Sequence, residues 1–248
     1  MPNIQIAFFN QSTELTDVQV KAALGPLQTQ VSRDFAPIWG VDAALSFIPA
    51  GAAFPPNAWQ IGVFDDSDQA GSLGYHDLTR DGLPFGKVFA RADRLTGSAW
   101  TVTASHELLE MLGDPDVNLH AVRQVGLEIS FYAYEVCDPC ESDASSYLID
   151  GVLVSDFVHP AWFEGFRAGV AGTRFDQQKL ITQPFELLKG GYIQVFDVSY
   201  GNGWYQKFPD GAAVRYPSRA PVGSRRERRG TLRSQWLPST PRPATKPV

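Results

Sequence analysis

The chain is poor in sulfur and imidazole, with two cysteines, two methionines and four histidines among 248 residues. Two cysteines cannot complete a four-thiolate metal site, and they are too few for a disulfide-framed scaffold. They stand together in CDPC, as Cys137 and Cys140, a spacing compatible with a redox pair, half of a zinc knuckle or a local disulfide. Proline inside the motif and no helix-start pattern after it argue against thioredoxin-like chemistry, so two small, partly buried side chains in a turn are expected. Long apolar runs are also missing. No segment reaches the ~18 apolar residues of a membrane helix, and MPNIQIAFFNQSTEL has neither the basic nor the long apolar region of a secretory signal. The expectation is no membrane span and, by default, the cytoplasm, with non-classical export or association with a particle as alternatives.

Basic charge is scarce in most of the chain. From Pro217 to Val248 the sequence carries eight basic residues against Glu227 alone, for +7, so with −6 overall the first 216 residues carry −13. A body of that sign is a poor match for a phosphate backbone, which makes nucleic acid an unlikely ligand for it. What is present is core-forming material, 44% hydrophobic and 12% aromatic, enough for one large domain or two small ones.

The order of elements reads as α/β. NIQIAFFN (3–10) alternates as a strand, and Thr16 or Asp17 can cap a helix whose apolar positions Val20, Ala23, Leu24, Leu27 and Val31 recur at helical spacing, with a kink at Gly25-Pro26. DAALSFIP (42–49) and WQIGVFDD (59–66) follow as strands, then shorter strands near 73–76 and 87–91. A helix over about 98–112 is stopped by Gly113 and Asp114-Pro115. Beyond it FYAYEVCD, SYLIDGVLVSDFV, GGYIQVFDVSY and GWYQKF predict short strands or hairpins, with IDGV as a tight turn and HPAWFEGF as the start of a short helix. The expected organisation is a subdomain over 1–116, a strand-rich subdomain over 117–216 and a basic Pro/Arg-rich tail over 217–248, extended or disordered.

The chemistry concentrates in SHELLEMLGDPD (105–116). At about 100° per residue, Glu110 lies one turn beyond His106 and about 40° round, on the same face, with Glu107 flanking it. That face suits two metal ligands and a neighbouring carboxylate able to take a proton from water. Gly113 is expected to turn the chain in the left-handed region, letting Asp116 fold back as a third ligand.

HELLEMLGDPD resembles the metzincin pattern HExxHxxGxxH/D at His106, Glu107, Gly113 and Asp116, and departs from it at Glu110. It is also similar to zincin-like proteins whose helix reads HExxE followed by DP and later by an acidic, Cys-containing segment, here EVCDPC (135–140). The resemblance spans about residues 1–160, and its specific part is short. It implies a zincin-like mixed sheet with a backing helix and an active-site helix, an edge strand within GYHDLTRDGLPFGKVFA that aligns a peptide by backbone pairing, and a metallopeptidase activity. It implies His106, Glu110 and Asp116 as ligands of a divalent metal, zinc first and manganese or calcium as alternatives, with Glu107 as general base. The methionine turn of metzincins is missing, since the methionines are Met1 and Met111. Asp138 or Glu135 can fill the space below, as a ligand or as a partner holding His106.

Other polar groups read more plainly. His76 in YHD suits a surface position, with a cleft role as the sharper alternative; His159 suits a distant ligand or donor; DDSD (65–68) reads as a solvated turn, since it lacks the remaining calcium-loop positions. Two functional classes follow. One is a metal-dependent hydrolase acting on a peptide or protein. The other is an inactive scaffold or interaction protein, such as a virion or large-assembly component, whose basic tail docks on a protein partner.

Overall fold

β1 (Ile4–Asn10) buries Ile6, Ala7 and Phe8 completely, because it lies inside a sheet rather than at its edge. In the computed structural model, which describes residues 4–69, 72–198 and 204–215, it is followed by α1 (Asp17–Thr29). Thr16 caps α1 as expected: its side chain accepts from the Gln19 backbone N–H, and Gln19 reaches back to the Thr16 N–H at 2.9 Å. The expected kink takes another form. Pro26 is accommodated within α1, and the ladder widens afterwards into a π-helical stretch, Gln30–Phe35, before α2 (Ala36–Trp39) ends at left-handed Gly40.

β2 (Ala43–Phe47), β3 (Trp59–Phe64), β4 (Gly74–Leu78) and β5 (Pro84–Phe89) complete a five-stranded sheet in the order β2-β1-β3-β5-β4. Its pairings are parallel except the last, where β4 runs antiparallel to β5 and forms an edge. The strand expected over 87–91 ends at Phe89, and a short helix, α3 (Ala90–Thr96), replaces its last residues. α1 packs on β1 and β2, and α4 (Trp100–Gly113) packs on β4 and β5.

The strand-rich continuation holds β6 (His120–Val125), β7 (Glu128–Ala133), β8 (Tyr147–Ile149), β9 (Val152–Val154), β10 (Ile193–Asp197), β11 (Trp204–Lys207) and β12 (Ala213–Arg215). Five of these form an antiparallel sheet in the order β12-β11-β10-β7-β6. β8 and β9 form a hairpin whose turn places both Asp150 (φ 48°) and Gly151 (φ 81°) at positive φ, as the IDGV reading requires. HPAWFEGF forms 3₁₀ turns rather than an α-helix. The architecture is mixed α and β, and one cluster of buried side chains runs from Ile6 to Val195 across the 116/117 boundary. Thr101 and Ser105 tie α4 to β9: Thr101 donates to the Leu153 carbonyl at 2.7 Å, and Ser105 Oγ accepts from Ser155 N–H at 2.7 Å. The basic tail over 217–248 and the partner expected for it lie outside the described residues. No helix among the described residues is long and apolar enough to cross a membrane.

Candidate metal centre

α4 is enclosed rather than surface-lying. Every residue from Val102 to Leu112 is buried, with Leu108, Leu109, Met111 and Leu112 in the apolar core. Its polar residues therefore need partners, since a buried charge without one is costly. They find them on four sides: β4, α3, the 135–140 segment, and the β8–β9 hairpin.

His106 and Glu110 meet as their spacing predicts, with Nε2 3.3 Å from Glu110 Oε2. The third member is Asp138, whose Oδ1 lies 3.3 Å from the same His106 nitrogen. It stands on the 3₁₀ turn Asp138–Cys140, and Glu110 itself organises that turn by accepting from the backbone N–H groups of Cys137 and Asp138, each at 3.2 Å, through Oε1. Leu188 N–H donates to the Pro139 carbonyl and Tyr192 N–H to that of Asp138, both at 2.9 Å. Gly191 between them packs so closely that a Cβ there would strike the backbone of Pro139 and Asp138.

Asp116 does not join this group. It is exposed, and the turn is built by its neighbours: Asp114 is buried and accepts from Asn118 and Leu119 N–H, while buried Val117, at φ 53°, takes the inward position and leaves Asp116 outside. Gly113 differs from expectation as well. It is the last helical residue, and the cap is Asp114 at φ −137°. A glycine there eases a close approach, since a Cβ would lie 3.1 Å from a methyl of Val136, which would have to give by a few tenths of an ångström.

His76 is a second correction. It is fully buried on β4, with Nδ1 3.7 Å from Glu107 Oε2 and 3.7 Å from Glu110 Oε2, and Nε2 3.7 Å from Glu135 Oε2. Strand alternation puts Gly74 and His76 on one face of β4, the face that meets α4, and the Gly residues opposite and beside it allow the approach. A Cβ on Gly74 would lie 2.7 Å from Glu107 Oε1, and one on Gly86 3.6 Å from Glu107 Cβ. A surface reading of YHD failed because only β4–β5 pairing and the packing of α4 bury that face.

Two groups of side chains have ligand atoms within 4.8 Å of one another and could hold a metal ion: His106, Glu110 and Asp138, and His76, Glu107 and Glu110. For a tetrahedral ion with ligands at about 2.0–2.1 Å, donor atoms are separated by roughly 3.4 Å, close to the 3.3 Å found from His106 to both of its carboxylates. Without an ion, burial alone pushes the His106 pKa down, and Glu110 and Asp138 more than reverse it, leaving it well above the ordinary value. Burial, then the charge of Glu110, pushes Asp138 up to about 8.

The remaining candidates have other employment. Cys137 and Cys140 are buried free thiols with pKa values pushed up by burial, so they are not poised as nucleophiles. His159 is buried against Phe157, and lies in neither group. The DDSD turn is a structural knot: Asp65 accepts from Ser12 and Thr13 and pairs with Arg91, and Asp68 pairs with Lys87. Compared with known proteins, the chain matches no family model, and neither a curated protein nor a solved structure is significantly similar to it.

Proposed function

We propose that the chain is a metal-dependent hydrolase of zincin-like architecture, acting on peptide bonds. The observation that carries this reading is the buried donor set of His106, Glu110 and Asp138, with both carboxylates at 3.3 Å from one imidazole nitrogen. The donor chemistry fits a divalent ion. Among the described residues no lysine or arginine is buried, so in the interior only the histidines themselves or a bound cation can offset these carboxylates. Two carboxylates and one imidazole form a harder set than three histidines, which suits manganese or calcium as well as zinc.

His106, Glu110 and Asp138 would hold the ion, which when bound acts as a Lewis acid toward a carbonyl oxygen and acidifies water. Glu107 is the proton acceptor beside it. Its neighbour on the strand side is Gly74, whose missing side chain leaves room for the carboxylate. β4 is the antiparallel edge of the sheet, next to the site, and an extended peptide can align along such an edge by backbone pairing. Within the group the side chain of His106 is the most exposed, at 8%, with Glu107 at 6% and Glu110 at 5%, against 0% for His76 and Glu135, which favours approach of substrate from the His106 side.

The test is elemental analysis of protein purified without chelators or metal columns, followed by peptide hydrolysis by the metal-loaded chain and by Glu107→Gln. The variant is expected to keep the ion of the His106 group and to lose turnover by at least about 10²-fold, in the range of a lost general base. Unchanged turnover would remove Glu107 from its role, and a wild-type chain that takes up no metal would refute the reading as a whole.

A further inference from the structure

The geometry points to a second divalent-cation site, held by His76 Nδ1, Glu107 and Glu110, so that the chain carries a pair of ions sharing Glu110. This deepens the reading above and rests on it, because Glu110 also belongs to the His106 group.

The division of labour within Glu110 is the first argument. Its Oε1 is occupied by two backbone N–H groups, while Oε2 lies 3.3 Å from His106 Nε2 and 3.7 Å from His76 Nδ1. A carboxylate oxygen within 3.7 Å of two imidazole nitrogens from different elements is placed to bridge two ions, as in sites where two metals sit about 3.5–4 Å apart. Glu107 divides in the same way. Its Oε2 faces His76 at 3.7 Å and its Oε1 faces the backbone at Gly74, so one oxygen can serve the inner ion while the other remains toward the substrate edge.

Charge is the second argument. Glu107, Glu110, Glu135 and Asp138 are four buried carboxylates around two buried histidines, and no buried lysine or arginine accompanies them among the described residues. One divalent ion with neutral imidazoles leaves a net charge of −2 in the interior, whereas two divalent ions leave none. Glu135 completes the inner site from behind. Its Oε2 lies 3.7 Å from His76 Nε2, on the side away from the ion, beyond hydrogen-bond distance but close enough for its charge to favour a proton on Nε2 and leave Nδ1 to coordinate. The imidazole of the inner site is also the deeper one, since the side chain of His76 is fully buried whereas that of His106 keeps 8% exposure.

The experiment loads the chelator-stripped full chain with Mn²⁺, removes excess ion, and measures manganese per folded chain together with its electron paramagnetic resonance spectrum. Two ions per wild-type chain and an exchange-coupled spectrum are expected. His76→Ala and Glu107→Gln should each keep one ion with an uncoupled six-line spectrum, and the inner ion should leave more slowly than the outer one when chelator is added. One uncoupled ion in wild type, with the same content in His76→Ala, overturns the second site and leaves the hydrolase reading standing; no ion in wild type overturns both. If His76→Ala does not fold by circular dichroism, the wild-type stoichiometry and coupling still decide the question, and Glu107→Gln supplies the single-ion control.

Discussion

Replacing Asp138 with Asn, and Asp116 with Asn as its control, separates the third donor that the fold brings to His106 from the one the helix motif suggests. Asp138 is 2% exposed with Oδ1 3.3 Å from His106 Nε2, whereas Asp116 is exposed and outside both donor groups. Losing an outer partner of a metal site already weakens binding ~10–100-fold, so losing one of three direct donors is worth at least the upper end, about 100-fold. At a metal concentration a thousand times Kd the bound ion adds about 4.1 kcal/mol of stability, and a Kd weaker by about 100-fold reduces that to about 1.4 kcal/mol. The difference, about 2.7 kcal/mol, lowers the metal-saturated Tm by roughly 5–11 °C for a domain of this size. Without metal the loss should largely vanish, because burial and the charge of Glu110 push the Asp138 pKa up to about 8, so near neutral pH the amide replaces a carboxyl that is already mostly protonated, and the stripped variant should melt close to stripped wild type. Thermal unfolding with and without Zn²⁺ or Mn²⁺ measures both. A metal-dependent loss in Asp116→Asn, with none in Asp138→Asn, would refute the assignment.

Three further outcomes are expected. Gly74→Ala places a Cβ 2.7 Å from Glu107 Oε1, 2.7 Å from Thr103 Cγ2 and 2.8 Å from the Lys87 carbonyl. Carboxylate and strand must separate by the better part of an ångström, and turnover should fall about 10²-fold with the outer ion retained, read from steady-state kinetics beside metal content. Ser105→Ala removes the acceptor of the buried Ser155 N–H and should cost about 1–3 kcal/mol in urea unfolding. Asp156, buried beside Asp176, has its pKa pushed up to about 8 by burial and by that second carboxylate. The folded chain therefore holds this proton more tightly than the unfolded one, its contribution to stability is complete below the ordinary carboxylate range, and it is lost as pH rises toward about 8. Asp156→Asn should unfold at a higher urea midpoint relative to wild type at pH 8.5 than at pH 5, and an equal difference at both would contradict this account.

Local signals fixed much of the site's frame. The 3.6-residue period set His106 and Glu110 on one face of α4, a cap at Thr16 or Asp17 set the start of α1, and Asp150-Gly151 set the β8–β9 turn, because each of these depends on neighbours within a few residues. Asp138 was legible only as a possibility within EVCDPC, since its approach to His106 depends on the backbone bonds that Glu110, Leu188 and Tyr192 make to its turn. Asp116 looked like a ligand by counting from a motif, but the burial of Val117 decides which way that turn faces.

Sequence by itself determined that α4 would carry a histidine and two carboxylates in ligating register, because helix periodicity is a property of the chain. Tertiary structure decided what meets them. His76 reaches Glu107 and Glu110 through the antiparallel pairing of β4 with β5, and Glu135 and Asp138 reach the histidines through a turn 25–28 residues after Glu110. Burial then turns these side chains from solvated charges into a cluster whose charge must be neutralised by protons or by bound cations, and burial is a property of packing between distant segments.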